Sequence, residues 1–464
     1  MNYSFFLFKI ISIILIVFSY KQEFNPIPKG NGELNDKYNH RGEENNLFFI
    51  FFTFRHGARS PLLLQNNTDI LGGKWPKGGE LTNYGRKQHY EIGLKNRERY
   101  SNFIRNEYLP RELKIFSTNF DRTINSVQSQ LLGLYNNITY DNYNFSEFNN
   151  TSTGEDNYEE INSILPPVQL FQFDGKKYNK IFKNRFDCAY LHKNILKNLN
   201  QNNEKLELII KKFNEEYHDI FLKEYKNLNI INISSIRDFD KFCDIYEAVY
   251  FDENNKHILN KIAKYGKNIT EIKEICDNYL YYHYMYIRNG GYASNNGIIS
   301  QSNTFKNILN WMKVRADQNN NFASKYSEPK FILYSGHDST IFELQSVLKK
   351  AFNVDFEYAP FACEQLLELR RYNYVYYVEL YYNDRLKMNI TYDVFIKRIN
   401  NIIISDEKVY NICYRKKEEM FLEYGKKFLI VMTLILSIVM LALICKIYIP
   451  DYGEITNETI IQIE

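Results

Sequence analysis

Apolar positions along this chain follow two periods, and they alternate in order. Phe48-Phe49-Ile50-Phe51-Phe52-Thr53-Phe54 is an apolar aromatic run interrupted only by Thr53, which predicts a buried strand. Leu113 to Ser117 and Lys330 to Ser335 are shorter runs of the same kind. Each run gives way to helical spacing. Thr82 reads as the N-cap of a helix through Arg99, with Tyr90, Gly93 and Leu94 toward the core. Asp121 reads as the cap of a helix through Leu134, with Ile124, Val127, Leu131 and Leu134 on one stripe. A third helix is predicted from Thr340 to Phe352.

The remaining stretches fill in around this alternation. Leu62 to Glu80 is a Gly-rich loop, and 136–163 is an Asn-, Tyr-, Thr- and Glu-rich exposed insertion. Residues 164–300 show no strand alternation and read as helices at Asn202–Tyr225, around Phe239–Phe251 and at Ile258–Tyr286. Thr304 to Ala316 is a further helix, and Glu364–Leu369, Val375–Tyr382 and Leu386–Ile390 read as closing strands. The pattern predicts an α/β core with a mainly parallel sheet flanked by helices. Its two parts, 47–163 and 301–427, are separated by an inserted α-helical cap at 164–300.

The two ends carry a different pattern. Residues 1–19 hold an apolar stretch too short to span a bilayer, ending in small residues, and predict a signal peptide. Residues 20–46 are a polar arm with Pro26, Pro28 and Gly30. Residues 428–445 carry no charge between Lys427 and Lys446, the length of a transmembrane helix, and 446–464 form a short tail. Together these predict a single-pass type I membrane protein with 20–427 in a lumen or at the cell surface. Sequons at Asn66, Asn137, Asn144, Asn149, Asn150, Asn232, Asn268 and Asn389 fit that placement.

Composition narrows the function classes. A formal charge of +3 over 464 residues gives no reason to expect a nucleic-acid partner. The cysteines are Cys188, Cys243, Cys276, Cys363, Cys413 and Cys445, with no CxxC pair, so no zinc site is expected. Cys445 sits at the inner membrane edge. The other five are an odd set, so at least one thiol stays unpaired or pairs between chains.

The candidate chemistry sits where the strands stop. The first strand ends in Arg55-His56-Gly57-Ala58-Arg59-Ser60-Pro61, the second is followed by Asp121-Arg122-Thr123, and the third by His337-Asp338. If the strands are parallel neighbours, these clusters meet at one sheet edge, where open α/β sheets bind ligands. Two guanidiniums beside an imidazole repel unless an anion joins them. Arginine forks match phosphate oxygens, a neutral histidine attacks phosphorus in line, and a carboxylic acid protonates the leaving oxygen. The guanidiniums supply the positive charge, so neither metal nor cofactor is called for. The other histidines are scattered and carry no assignment.

These residues form a recognisable signature. Phe54-Arg55-His56-Gly57-Ala58-Arg59-Ser60-Pro61 resembles the RHGxRxP motif of the histidine acid phosphatases. Trp75-Pro76, Gly79-Glu80-Leu81-Thr82, Gly85 and Gln88 to Gly93 look like the stretch that follows it. Ser117-Thr118-Asn119-Phe120-Asp121-Arg122-Thr123 resembles the STDxxRT element, with Asn119 where the family commonly has Asp. Tyr334-Ser335-Gly336-His337-Asp338-Ser339-Thr340 resembles the HDxT element. The likeness runs over about 47–135 and 300–382 and is nearest to the lysosomal and prostatic type.

The resemblance implies a phosphoglycerate-mutase-like fold and hydrolysis of phosphomonoesters, small or on proteins, at acid pH through a phosphohistidine. His56 would be the nucleophile, Asp338 the proton donor, and Arg55, Arg59, Arg122 and His337 the phosphate holders. It implies disulfides Cys243–Cys363 and Cys188–Cys413, leaving Cys276 over, and it allows a homodimer. Guanidiniums favour neutral His56 and ionised Asp338, so a low pH is expected to be needed for the acid form. Tyr452-Gly453-Glu454-Ile455 resembles a tyrosine-based sorting signal read by an adaptor, which would direct the protein to lysosomes or endosomes. Two other functions share the site: a catalytically silent membrane glycoprotein that binds an anionic ligand, and an inositol-polyphosphate phosphatase.

Overall fold

The structure, a computed structural model, describes residues 46–62, 75–135, 166–171, 188, 190–191, 204–224, 236–251, 259–260, 263–288, 295–317 and 329–448. The signal peptide, most of the arm, the insertion at 136–163, the sorting motif at Tyr452 and all sequons except Asn268 and Asn389 lie outside the described residues.

A seven-stranded sheet organises the fold, in the spatial order β3-β2-β4-β1-β5-β6-β7. The strands are β1 (Leu47–Arg55), β2 (Leu113–Thr118), β3 (Gln169–Phe171), β4 (Phe331–Gly336), β5 (Glu364–Tyr372), β6 (Val375–Tyr382) and β7 (Arg385–Thr391). The helices are α1 (Asn83–Arg99), α2 (Asp121–Leu134), α3 (Glu204–Glu224), α4 (Ile236–Phe251), α5 (Ile269–Tyr282), α6 (Asn296–Ala316) and α7 (Asp338–Phe352). They are followed by α8 (Tyr392–Asn400), α9 (Asp406–Tyr410) and α10 (Lys416–Tyr448).

β1 explains its own composition. Phe49 and Phe51 pack into a cluster with Phe213, Phe239, Ile308 and Phe342, contributed by α3, α4, α6 and α7. Ile50, Phe52 and Phe54 pack on the opposite face with Ile92, Val127 and Leu131 of α1 and α2. A strand covered on both faces has no polar side, which is why the run does not alternate. Each such side chain contributes roughly 1.5–3 kcal/mol by leaving water.

The sheet is mixed, not mainly parallel. β3, β2, β4 and β1 run parallel, but β5 is antiparallel to β1, and β6 and β7 continue as hairpins. Two-residue turns enforce this. Asn373-Tyr374 and Asn383-Asp384 all have positive φ, the type I′ geometry that closes tight hairpins. β3 is a short edge strand inside the block that reads as helical.

Other boundaries shift for physical reasons. Thr82 caps α1 as expected, its Oγ1 accepting from Gly85 N at 3.1 Å. Asp121 is the first helical residue of α2, and the cap position is Phe120, without a side-chain bond. α6 starts at Asn296, not Thr304. Its polar first turns are buried and bonded: Gln301 donates to Glu343 at 2.8 Å, and Ser302 Oγ accepts from Ile404 N at 3.0 Å. Satisfied polar groups in a core leave no apolar period to read.

The disulfides differ from expectation in one pair. Cys188 is joined to Cys413, with Cα atoms 4.5 Å apart. Cys243 on α4 is joined to Cys276 on α5, with Cα atoms 5.3 Å apart, so the expected Cys243–Cys363 bridge is corrected. The two helices pack face to face and present these thiols to each other. Cys363 is the buried free thiol, just before β5. Near the chain's end, Gly425–Ile444 of α10 is 20 residues long, apolar and unburied within the protein, which is long enough to cross a bilayer.

Candidate active site

The turn after β1 is tied to strands on both sides. His56 N donates to Gly336 O of β4 at 3.0 Å, and Ala362 N donates to His56 O at 3.0 Å. Helices hold it from below. Gly57 N donates to Ser126 Oγ at 3.1 Å, Ala58 N donates to Gln88 Oε1 at 2.9 Å, and Thr82 Oγ1 donates to Ala58 O at 3.0 Å. Gly57 lies so close to α1 that a Cβ there would sit 2.3 Å from Gly85 O. Only glycine permits that approach.

His56 is buried, 2% exposed, and its Nδ1 lies 2.9 Å from Gly57 O. A carbonyl only accepts, so Nδ1 carries the proton and Nε2 keeps its lone pair. Burial, then the charges of Arg122, Arg55, His337 and Arg59, push His56 well below the ordinary 6.5. The imidazole therefore resists protonation more than an exposed histidine does. His89, fully buried, reaches Arg55 O through Nε2 at 3.1 Å and is pushed down to about 3 by burial. It braces the backbone of the turn.

Arg55 is 1% exposed and heavily bonded. It forks onto Glu247 of α4 at 2.6 and 2.9 Å, donates to Ala359 O at 2.7 Å, and lies 3.4 Å from Asp338 Oδ2. Burial alone lowers its pKa, but Glu247, Tyr358 and Asp338 raise it well above the usual value, so it is permanently charged. Burial pushes the Glu247 carboxyl above its usual value despite the charges of Arg55 and Arg59. Its bonds come from donors, Arg55 and the Tyr358 hydroxyl at 3.0 Å, which favour the ionised form. Arg59 donates to Asp244 Oδ1 at 2.5 Å and to Ser60 O at 3.0 Å, and Asp244 Oδ2 accepts from Leu62 N at 2.9 Å. Phe361 lies against both guanidiniums, with its centroid 4.2 Å from Arg55 and 5.5 Å from Arg59.

The other two clusters arrive from the neighbouring strands. His337, at the N-cap of α7, has Nε2 3.0 Å from Thr118 Oγ1 of β2. Its ring centroid is 5.4 Å from that of His56. Arg122 Nη2 is 3.5 Å from His337 Nδ1, and its guanidinium lies 4.6 Å over the Phe120 ring. Burial, then Arg59, pushes Arg122 down to about 10. Asp338 begins α7, its Oδ1 accepting from Ser339 N at 2.5 Å.

All six residues singled out in the sequence, Arg55, His56, Arg59, Arg122, His337 and Asp338, thus converge at the carboxyl edge of β1, β2 and β4. The Nε groups of Arg55, Arg59 and Arg122 are buried without a protein partner, which suits an incoming anion. Sequence reading missed Asp244, Glu247, Tyr358 and Phe361. The signal for the first two was present: Asp240, Asp244 and Glu247 are spaced to share one face of a helix. The last two come from an irregular loop and left no period.

Comparison with known proteins agrees with this geometry. The family description "Histidine phosphatase superfamily (branch 2)" matches residues 46–383. Prostatic acid phosphatase of Bos taurus is 26% identical over 349 residues, 74% of this chain and 78% of that protein. Lysosomal acid phosphatase of Bos taurus is 38% identical over 96 residues, 20% of this chain and 23% of that protein. Among solved structures, the phytase of Klebsiella sp. ASR1 superposes with a TM-score of 0.50 at 11% identity, over 77% of this chain and 96% of that one, a likeness of fold. With its motif residues assembled at one sheet edge and most of its length matched, the chain belongs to branch 2 of the histidine phosphatase superfamily.

Proposed function

We propose that the protein hydrolyses phosphate monoesters at acid pH through a covalent phosphohistidine. The observation that carries this reading is a tautomerically fixed His56, its pKa pushed down by burial and three guanidiniums, one of which, Arg55, lies 3.4 Å from Asp338. In the first step the Nε2 lone pair of His56 attacks phosphorus, the bond to the leaving oxygen breaks, and the Asp338 proton moves to that oxygen to release the alcohol. In the second step water attacks the phosphohistidine, Asp338 takes the water's proton, and inorganic phosphate leaves with His56 restored. Arg55, Arg59, Arg122 and His337 hold the phosphoryl oxygens throughout.

The relatives named acid phosphatases support the substrate class, and the intact nucleophile and acid argue against a catalytically silent binder. We read α3 to α5 as the cap over this site and the 20-residue apolar stretch of α10 as a single-pass anchor, with the catalytic part in a lysosomal or endosomal lumen or at the cell surface. The test is a panel of phosphomonoesters assayed across pH, with and without chelator, on wild type, His56→Ala and Asp338→Ala. ³²P on histidine, trapped by alkaline denaturation and lost in His56→Ala, is the expected result. A chelator-sensitive neutral optimum, or full turnover by His56→Ala, would overturn the mechanism.

A further inference from the structure

Helix α4 turns an acidic stripe toward the site. Asp240, Asp244 and Glu247 lie on one face, and each meets a different cationic or imidazole group. Asp240 meets His283 at 2.6 Å, Asp244 meets Arg59 at 2.5 Å, and Glu247 forks onto Arg55 at 2.6 and 2.9 Å. The last two carboxylates change the electrostatics of the clamp. Two of the three guanidiniums, Arg55 and Arg59, are each met by a carboxylate from α4, Glu247 and Asp244, and Asp338 lies 3.4 Å from Arg55. The anion that the paired arginines require is therefore already present, supplied from a helix roughly 190 residues further along the chain.

We propose that Asp244 and Glu247 act as resident counter-anions to Arg59 and Arg55 that weaken the clamp's grip on inorganic phosphate, so that the product leaves. This rests on the reading that these arginines hold phosphate. A phosphate monoanion, the form that prevails in acid, would be released slowly from three unopposed buried guanidiniums. The resident carboxylates repel it and share the guanidinium charge. They occupy the Nη edges of Arg55 and Arg59, while the Nε group of each arginine, without a protein partner, remains to meet an oxygen. Orientation is kept and affinity is moderated.

The sign of the effect separates this role from a structural one. Losing a merely structural carboxylate loosens the arginines, weakens phosphate binding and raises KM. Losing a resident counter-anion tightens phosphate binding and lowers KM and kcat together. The experiment titrates inorganic phosphate into the full-length wild-type, Asp244→Asn and Glu247→Gln proteins by calorimetry, and measures its inhibition constant and the KM and kcat of each. Asp244→Asn is expected to bind phosphate about tenfold more tightly, the size of removing one charge roughly 10 Å from the ligand at an effective dielectric of about 20. Glu247→Asp, which keeps the charge, should restore the wild-type constant.

Asp244 has a side chain 15% exposed against 4% for Glu247, so its variant decides the matter if Glu247→Gln fails to fold. Unchanged or weaker phosphate binding in the folded variants overturns the inference. A wild type that binds no phosphate overturns the proposed function and this inference with it.

Discussion

Glu368 on β5 is a fully buried carboxylate, and its partners define a sharp perturbation. Arg370 reaches its Oε2 at 2.5 Å, Arg99 reaches Oε1 at 3.0 Å, and the Tyr100 hydroxyl donates to Oε1 at 2.5 Å. Arg370→Met keeps the aliphatic stem and removes the charge. Breaking a buried pair costs about 3–5 kcal/mol, and with Arg99 and Tyr100 still in place we expect about 3 kcal/mol. The loss must also depend on pH. Burial pushes Glu368 up, but Arg370, Arg99 and the Tyr100 bond outweigh it and hold the folded-state value below 4.5. A depressed carboxyl stabilises fully above its unfolded value and loses that contribution as pH falls through the folded one. The gap between wild type and Arg370→Met is therefore widest at neutral pH and closes below 4.5. Urea unfolding followed by the fluorescence of buried Trp75 and Trp311 measures it. With a slope of about 3 kcal/mol/M, the midpoint should fall by about 1 M at neutral pH. A shift under about 0.3 M, or a gap that stays constant into acid, would refute the reasoning.

Three further outcomes are expected. In NMR titration of the wild type, the His56 imidazole should show no inflection near 6.5, and Arg122→Gln should move its midpoint upward; a wild-type midpoint at the ordinary value would contradict the charge ring described above. Asp338→Asn should slow hydrolysis of alkyl phosphates by about 10²–10⁴ and aryl phosphates with good leaving groups much less, because only poor leaving groups need the proton; equal losses on both would remove Asp338 as the acid. Burial pushes the Cys363 thiol up to about 12, so iodoacetamide should leave it unmodified in the native protein and alkylate it after unfolding without reductant; peptide mapping that finds native labelling would overturn its burial.

The strand ends that form the candidate site were legible in the sequence because their chemistry is local. Arg55-His56-Gly57-Ala58-Arg59 is contiguous, and an apolar run before it fixes where a strand stops. The parallel arrangement of β2, β4 and β1 was inferable because all three strands end in the same way. What stayed hidden depends on distant packing. Glu247 and Asp244 are ordinary helical acids until α4 is laid against the turn. The buried polar start of α6 has no period, and the partner of Cys243 is set by which helix α4 faces. The mixed sheet was readable from Asn373-Tyr374 and Asn383-Asp384 only by weighing their tolerance of positive φ.

The central place of β1 has a consequence for how the molecule is made. Thr53 Oγ1 donates to Tyr334 O, a partner 281 residues later in the chain. On the ribosome, the most apolar strand of the protein therefore emerges long before β4 and β5 can cover its edges. Through that interval it is an unpaired aromatic strand, the kind of segment that seeds misassembly. An amino-terminal fragment lacking residues beyond 330 would keep the signature motif yet carry that strand bare. Such fragments should accumulate as aggregates, and productive synthesis should depend on holdase chaperones until the second half of the chain is complete.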